Sequence, residues 1–457
     1  MKNILSNTVL VAALTFTSPV FAQETTSIPV SPVVRATPDA TALPQPADIG
    51  TAAENQAIQD MQKSALWQAY MAVLMDLKPI FSQDDIQSKL EHLDGFEFSA
   101  ETRKKLFDLF GNDNPLHLRL SKLANGNAEL SFKLDALDHQ DAVTGSKSHT
   151  STLDGKALYS KHYRQAHVAA AMPLFTFDDG RTLQFSAGEF SLTADQALGL
   201  WGMWFGNAIF KLDHLAIDDS KSTVHVKLNG MSVKADAKRH GKLVDIDEAF
   251  DTKSINWGSD EVGPVHMAFT LANIDGKELA AIDEKAKRQE LTSQTDEQKV
   301  AAATAMLKDL AVATLTHGGA IEIKDMSVQY HGRTAGLNGR ITFDHVLIGD
   351  FDTPKLVTDK MVTKLGLHLP MTMAVDLSRM FARQMTKAKH KCCTPITDDE
   401  VNATAKKELD EVLKNLTQKK WITIRKGIIY STIDYRAGRL LVNGQSFQMP
   451  TRILGRR

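Results

Sequence analysis

Two cysteines, Cys392 and Cys393, stand side by side and are the whole thiol content of the 457-residue chain. A bond between neighbours closes a tight ring and strains the peptide, well off standard disulfide geometry. The pair reads as a strained vicinal disulfide or redox pair, a bridge to another chain, or two free thiols in a loop. His390 adds a third metal-ligand type beside them, but no fourth partner stands at a zinc-site spacing. Fifteen histidines are scattered along the chain, and near pairs such as His162 and His167 match no ligand motif. Asp178-Asp179-Gly180 and Asp218-Asp219 read as turn chemistry, because no calcium-loop pattern of alternating acids with a Gly and a terminal Glu follows them.

The sequence carries none of the common catalytic patterns. There is no His-Glu-x-x-His, no Gly-x-Ser-x-Gly, no Ser-x-x-Lys, no P-loop and no Gly-x-Gly-x-x-Gly. His317-Gly318-Gly319 therefore has no nucleophile elbow to serve. No catalytic residue, metal ligand or cofactor site is assigned, and the expectation is a protein without enzymatic activity. The one apolar cluster is Trp201, Trp204, Phe205 and Phe210, inside the uncharged 14-residue run 197–210. Core packing is the direct reading; contact with an apolar ligand or partner is the functional one.

The elements that must position these residues follow from periodicity. Ile58, Met61, Ala65, Ala69, Val73 and Leu77 form one helical face, with Pro79 expected to end the helix. Ser82-x-x-Asp85 and Ser99 with Glu101 look like the N-caps of two shorter helices near 83–92 and 100–110. From about residue 127 the period becomes two: Leu130, Phe132, Leu134; Leu183, Phe185; Phe210, Leu212 and, after a break, Leu215, Ile217; Val224, Val226, Leu228. Helices are expected in an insertion over 277–316, where Thr295 and Gln298 suit a capping box, and again over about 355–388 and 398–418. A hairpin over 419–450 closes the chain. The fold class is α+β: a long antiparallel β-sheet with interspersed helices and a helical N-terminal segment over 51–120. The β-rich body is expected over 121–350 and a helical region over 351–418.

The amino terminus bears on location. Lys2, an apolar stretch from Thr8 to Phe21 and the Val20-Phe21-Ala22 sequence have the grammar of a cleaved secretory signal, residues 1–22. That stretch is shorter than the ~18 or more apolar residues of a spanning helix. Residues 23–50 hold five prolines and read as a disordered tether. The expected location is the periplasm, with an uncleaved inner-membrane anchor as the alternative.

Net charge is −2, which argues against a nucleic-acid partner. The charge is uneven: from Phe381 to Arg457 there are 16 Lys and Arg against 7 Asp and Glu. Such a basic end could touch an anionic membrane peripherally, or dock on the acidic remainder of the chain.

Several stretches resemble the YdgA-like envelope proteins of bacteria, a family of unknown function. They are Val262-Gly-Pro-Val-His-Met-Ala-Phe-Thr-Leu-Ala-Asn-Ile-Asp-Gly276, the run from Gly319 to Gly332, and Leu337-Asn-Gly-Arg-Ile-Thr-Phe343. Leu369-Pro370 with the helix to Phe381 is similar to that family's late amphipathic segment. Gly427 to Tyr435 and Gly438 to Gly444 are similar to its terminal hairpin. The likeness spans about 180–446 and implies an envelope location and an antiparallel α+β fold, with no catalytic residue to transfer. The expected function is an envelope binding or scaffolding module, with lipid as the candidate ligand. A protein-interaction module in envelope assembly and a hydrolase without a recognisable motif are the alternatives.

Overall fold

Side-chain caps start the short amino-terminal helices. Of α1 (Ala65–Phe81), α2 (Ile86–Leu93) and α3 (Ala100–Phe110), the second begins where Asp85 accepts the N–H of Ser88 at 2.7 Å. The third begins where the Ser99 hydroxyl accepts the N–H of Thr102, and it ends on Gly111 in the left-handed region. Helix α1 runs through Pro79 to Phe81 rather than ending at the proline. So close to the carboxyl end, the missing N–H of Pro79 forgoes one bond without breaking a long ladder. The computed structural model describes residues 65–81, 85–142, 145–220, 224–257, 260–290, 296–389 and 397–447. Residues 1–64, Thr295, His390, Cys392 and Cys393 lie outside them, and with them the signal, tether, capping-box and thiol readings.

The strands come in three runs. The first is β1 (Leu116–Lys122), β2 (Ala128–Leu134), β3 (Leu137–Gln140), β4 (Lys147–Thr150), β5 (Leu153–Tyr159), β6 (Gln165–Asp178), β7 (Leu183–Leu198), β8 (Trp204–Asp219), β9 (Val224–His240), β10 (Leu243–Thr252), β11 (Ser254–Trp257), β12 (Asp260–Val262) and β13 (Val265–Asp275). Helices α4 (Gly276–Glu290) and α5 (Asp296–Leu315) follow, then β14 (Ala320–Tyr330) and β15 (Arg333–Phe343). Where one helical region was expected over 355–388, the chain forms short α6 (Pro354–Asp359), then β16 (Met361–Pro370), then α7 (Met371–Lys389). The strand prevails because Met361–Pro370 finds partners on both sides, β15 and a later strand. Helix α8 (Asp398–Gln418) and β17 (Thr423–Arg425), β18 (Ile428–Arg436), β19 (Arg439–Val442) and β20 (Gln445–Ser446) end the described chain.

All 20 strands join one sheet, and every pairing is antiparallel. The main ladder runs β1-β2-β5-β6-β7-β8-β9-β10-β13-β14-β15-β16-β18-β19-β20. Strands β3 and β4 extend it beside β6, β11 and β12 beside β9, and β17 beside β18. The α+β expectation is met.

The four longest strands share one irregularity. Apolar positions step by three instead of two from Met172 to Phe175, Ala187 to Phe190, Leu212 to Leu215 and Leu228 to Met231. The interrupting positions Pro173, Glu189, Asp213 and Gly230 lie on one line across β6 to β9, and the register does not slip there. Glu189 and Gly230 have positive φ, 50° and 59°. Each strand changes phase at the same place, so the sheet bends while its apolar side chains stay on one face. Helices α1 to α3 pack on that inner face. Ser99 N–H donates to Asp76 at 2.7 Å to join α3 to α1, and the Ser148 hydroxyl donates to the carbonyl of Leu109 to join β4 to α3.

The outer face is polar. Asp247 on β10 accepts from Lys324 at 2.7 Å, from Lys238 at 3.2 Å and from the Thr270 hydroxyl, tying β9, β10, β13 and β14 together. These bonds, that from Lys324 first, hold its carboxyl down at about 2, against an ordinary 3.8. The stabilisation is therefore complete above about pH 4 and is lost as pH falls through 2. Urea unfolding of Asp247→Asn should show a smaller loss between pH 5 and 2.5 than the parent, by about 1–2 kcal/mol. Parallel profiles would show that the web carries no net stability.

Candidate functional site: an apolar inner face

Beneath α1 to α3 lies a cavity of about 120 Å³. Ala69, Val73 and Leu77 of α1 and Leu106 and Leu109 of α3 form its roof; Phe132, Leu153, Met172 and Phe175 of the sheet form its floor. Of the side chains that line it, Tyr70 alone brings a hydroxyl. Its size is close to the ~150 Å³ apolar cavity that stays dry and takes up benzene. The spacing of Ala69, Val73 and Leu77 aims one helical face at it, while Met71 and Met75 point to solvent.

The face does not stop at the helices. Directly opposed residues of adjacent strands share a face, so the register traces rows across the sheet. One row runs Leu192, Phe210, Val233, Phe250, Met267, Met326, Leu337, Leu367. Exposure rises along it: 2% at Leu192, 4% at Phe210, half-buried from Val233 to Leu337, and 38% at Leu367. Eight strands at about 4.8 Å give the row a length of roughly 34 Å. The row of Ile246, Leu271, Ile321 and Ile341 runs parallel, as does that of Phe269, Ile323, Leu365 and Ile433. Buried under helices at one end, this apolar surface opens at the other.

Electrostatics agree with that surface. Burial pushes the Tyr159 phenol up to about 12, and desolvation raises Glu248; both lie on the inner face. Helices α4 and α5 close the strand ends nearby, where Leu279, Ala280 and Ala313 pack with Val244, Ile246, Ile274 and Met203.

The aromatic cluster is divided. Trp204 and Phe210 are each 4% exposed, and Phe210 meets Phe190 with ring centroids 5.3 Å apart. Trp201 and Phe205 are half-buried against the α4–α5 cluster, and a Cβ on Gly276 would strike the Trp201 ring. Phe210 lies in the long apolar row; the others serve packing at its margin. Asp179 acts as a turn group, accepting the N–H groups of Arg181 and Thr182 at 2.8 Å and of Leu183 at 3.0 Å, whereas Asp218, expected in a turn, lies within β8 and pairs across the strands with His225 at 2.7 Å. His167 pairs with Asp195 at 2.7 Å, and His317 stands 3.7 Å from Asp275. Among the described residues no cluster of three or more His, Cys, Asp or Glu could hold a metal ion.

An antiparallel sheet bent over an apolar face and roofed in part by helices defines the protein as an α+β fold. The chain belongs to the family described as bacterial protein of unknown function (DUF945), which matches residues 96–450. The match takes in α3 and the whole sheet and begins after α1 and α2. Neither a curated protein nor a solved structure matches the chain.

Filling the cavity tests whether it takes guests. Benzene should raise the melting temperature of the parent by a degree or more, and Ala69→Leu should abolish that shift while keeping the fold. An unchanged melting temperature with benzene would show that the space admits no ligand.

Proposed function

We propose that this is an exported bacterial envelope protein, of the YdgA-like kind, that binds lipid acyl chains along the inner face of its sheet without catalysis. The rise in exposure from Leu192 to Leu367 carries the reading. A core closed for stability alone would bury such a row throughout, and half-buried apolar side chains set in a bent sheet suit a flexible chain lying along them. The signal-like grammar of residues 1–22 and the resemblance over 180–446 support the location. Among the described residues no helix is long and apolar enough to cross a membrane.

A lipid binder of this kind must meet a bilayer, and α7 suits the encounter. Leu377, Met380 and Phe381 are exposed by 41%, 56% and 65% at helical spacing, with Arg379 and Arg383 between and beside them. An exposed apolar stripe with flanking bases fits an anionic lipid surface.

The chain from Gln23 onward, purified gently from its envelope, should yield a stoichiometric lipid in an organic extract. The double variant Met326→Gln, Leu337→Gln should bind a fluorescent acyl probe at least about tenfold more weakly, roughly 1.4 kcal/mol, with the melting temperature held. Equal affinity would sink the reading. In flotation with phosphatidylglycerol vesicles, Met380→Ser, Phe381→Ser should lose most binding; full retention would remove α7 from the contact.

A further inference from the structure

From β9 to β16, four neighbouring rows of the inner face, those through Ile246, Glu248, Phe250 and Thr252, contain one acid or base among the described residues, Glu248. Its place is fixed by pairing: it stands directly opposite Ala235 on β9 and Phe269 on β13. Along β10, Ile246 and Phe250 flank it on the same face, whereas Asp245, Asp247 and Asp251 point to the outer face. On its own face the nearest base by register is Arg239, opposite Val244 and two rows away. No hydrogen bond or ion pair from the described residues reaches the Glu248 carboxyl.

The outer-face acids of β10 show what the sheet does with carboxylates it uses for stability. Asp247 has three donors, Asp251 has His266, and Asp245 accepts the N–H of Asn273. Glu248 has none of these; it is exposed to solvent, and Ala235 beside it brings only a methyl group. Desolvation by the surrounding protein nonetheless raises its pKa. A carboxyl placed there gains most from a ligand that brings its own cationic donor.

We infer that Glu248 anchors the head of the bound amphiphile, and that the ligand class is an apolar chain bearing a primary ammonium group. This rests on the acyl-binding reading above and adds a polarity to it: the ammonium head sits at β10, and the chain lies along the rows toward β16. A carboxylate head would be repelled at the same place, and a hydroxyl head would gain a single weaker bond.

Displacement of the acyl probe by dodecylamine, dodecanol and dodecanoate, each below its micellar concentration, tests the assignment. The parent should favour dodecylamine over dodecanol by about tenfold or more and bind dodecanoate weakest. Glu248→Gln should bring the amine down to the alcohol while leaving the alcohol unchanged. Glu322→Gln, which removes an acid from the outer face of β14, should keep the parent ranking; if it also erases the preference, the amine was reading net charge and the assignment is overturned. Equal binding of all three by the parent, or an amine preference that survives Glu248→Gln, likewise overturns it. If none of the three displaces the probe although the probe binds, the head assignment fails alone; if the probe itself does not bind, the acyl-binding reading fails first.

Discussion

Everything in this fold depends on keeping one face of a very long antiparallel sheet apolar. A single-residue slip of register would turn every apolar side chain of a strand to solvent. Strands of 14 to 17 residues, β6 to β9, make that hard, since twist accumulates along them. The chain answers with simultaneous interruptions at Pro173, Glu189, Asp213 and Gly230. Because all four strands change phase on the same line, the sheet bends without losing register. Outside that line, glycine admits close aromatic cover: the Phe132 ring lies where a Cβ on Gly155 would be, 1.9 Å away, so a small residue and a large one share one slot on the inner face.

Two faces with opposite chemistry follow. The outer face is held by cross-strand charge and by His–Asp pairs such as His167–Asp195, His225–Asp218 and His266–Asp251. Most of these groups are half-exposed, so each contributes little alone; their service is to fix which face is out. The inner face gains its stability from burial under α1 to α3, where Leu77, Leu130 and Leu212 are nearly inaccessible. Toward β16 that cover thins, and the surface that would be a core elsewhere becomes a place where another molecule can lie.

Much of this was legible in the sequence, and the unread part has a common cause. Ser99 declared its helix and the Ser82-x-x-Asp85 motif placed the other to within about three residues, because a cap acts locally; the cap in the fold is Asp85. The break between Leu212 and Leu215 marked the bend in β8, since phase is a local property. Met361–Pro370 was misread as helix because its strand character comes from β15 and β18, neighbours distant along the chain. The cavity could not be read at all: its lining is drawn from α1 to β6, and no short stretch carries its signature. The aromatic cluster drew attention by composition, yet Trp204 and Phe210 are core residues, as the packing alternative held.

Glu248 shows the limit most sharply. In the run Asp245-Ile-Asp-Glu-Ala-Phe-Asp251 it is one acid among four, and alternation sets it apart only once the run is known to be a strand. The register with Ala235 and Phe269 then shows which neighbours it meets on the inner face. Placing a carboxyl on an apolar face works against folding, because burial disfavours its charged form. The outer-face acids relieve that penalty with lysine, threonine and histidine donors; at Glu248 the sheet supplies none. A carboxyl that the fold leaves to solvent without a protein donor, at the point where the apolar rows pass from helical cover to the open, is the group that a cationic ligand head would meet. The same physical contrast that holds the sheet together, polar partners outside and apolar neighbours inside, is what makes this one carboxyl stand out as part of a binding surface.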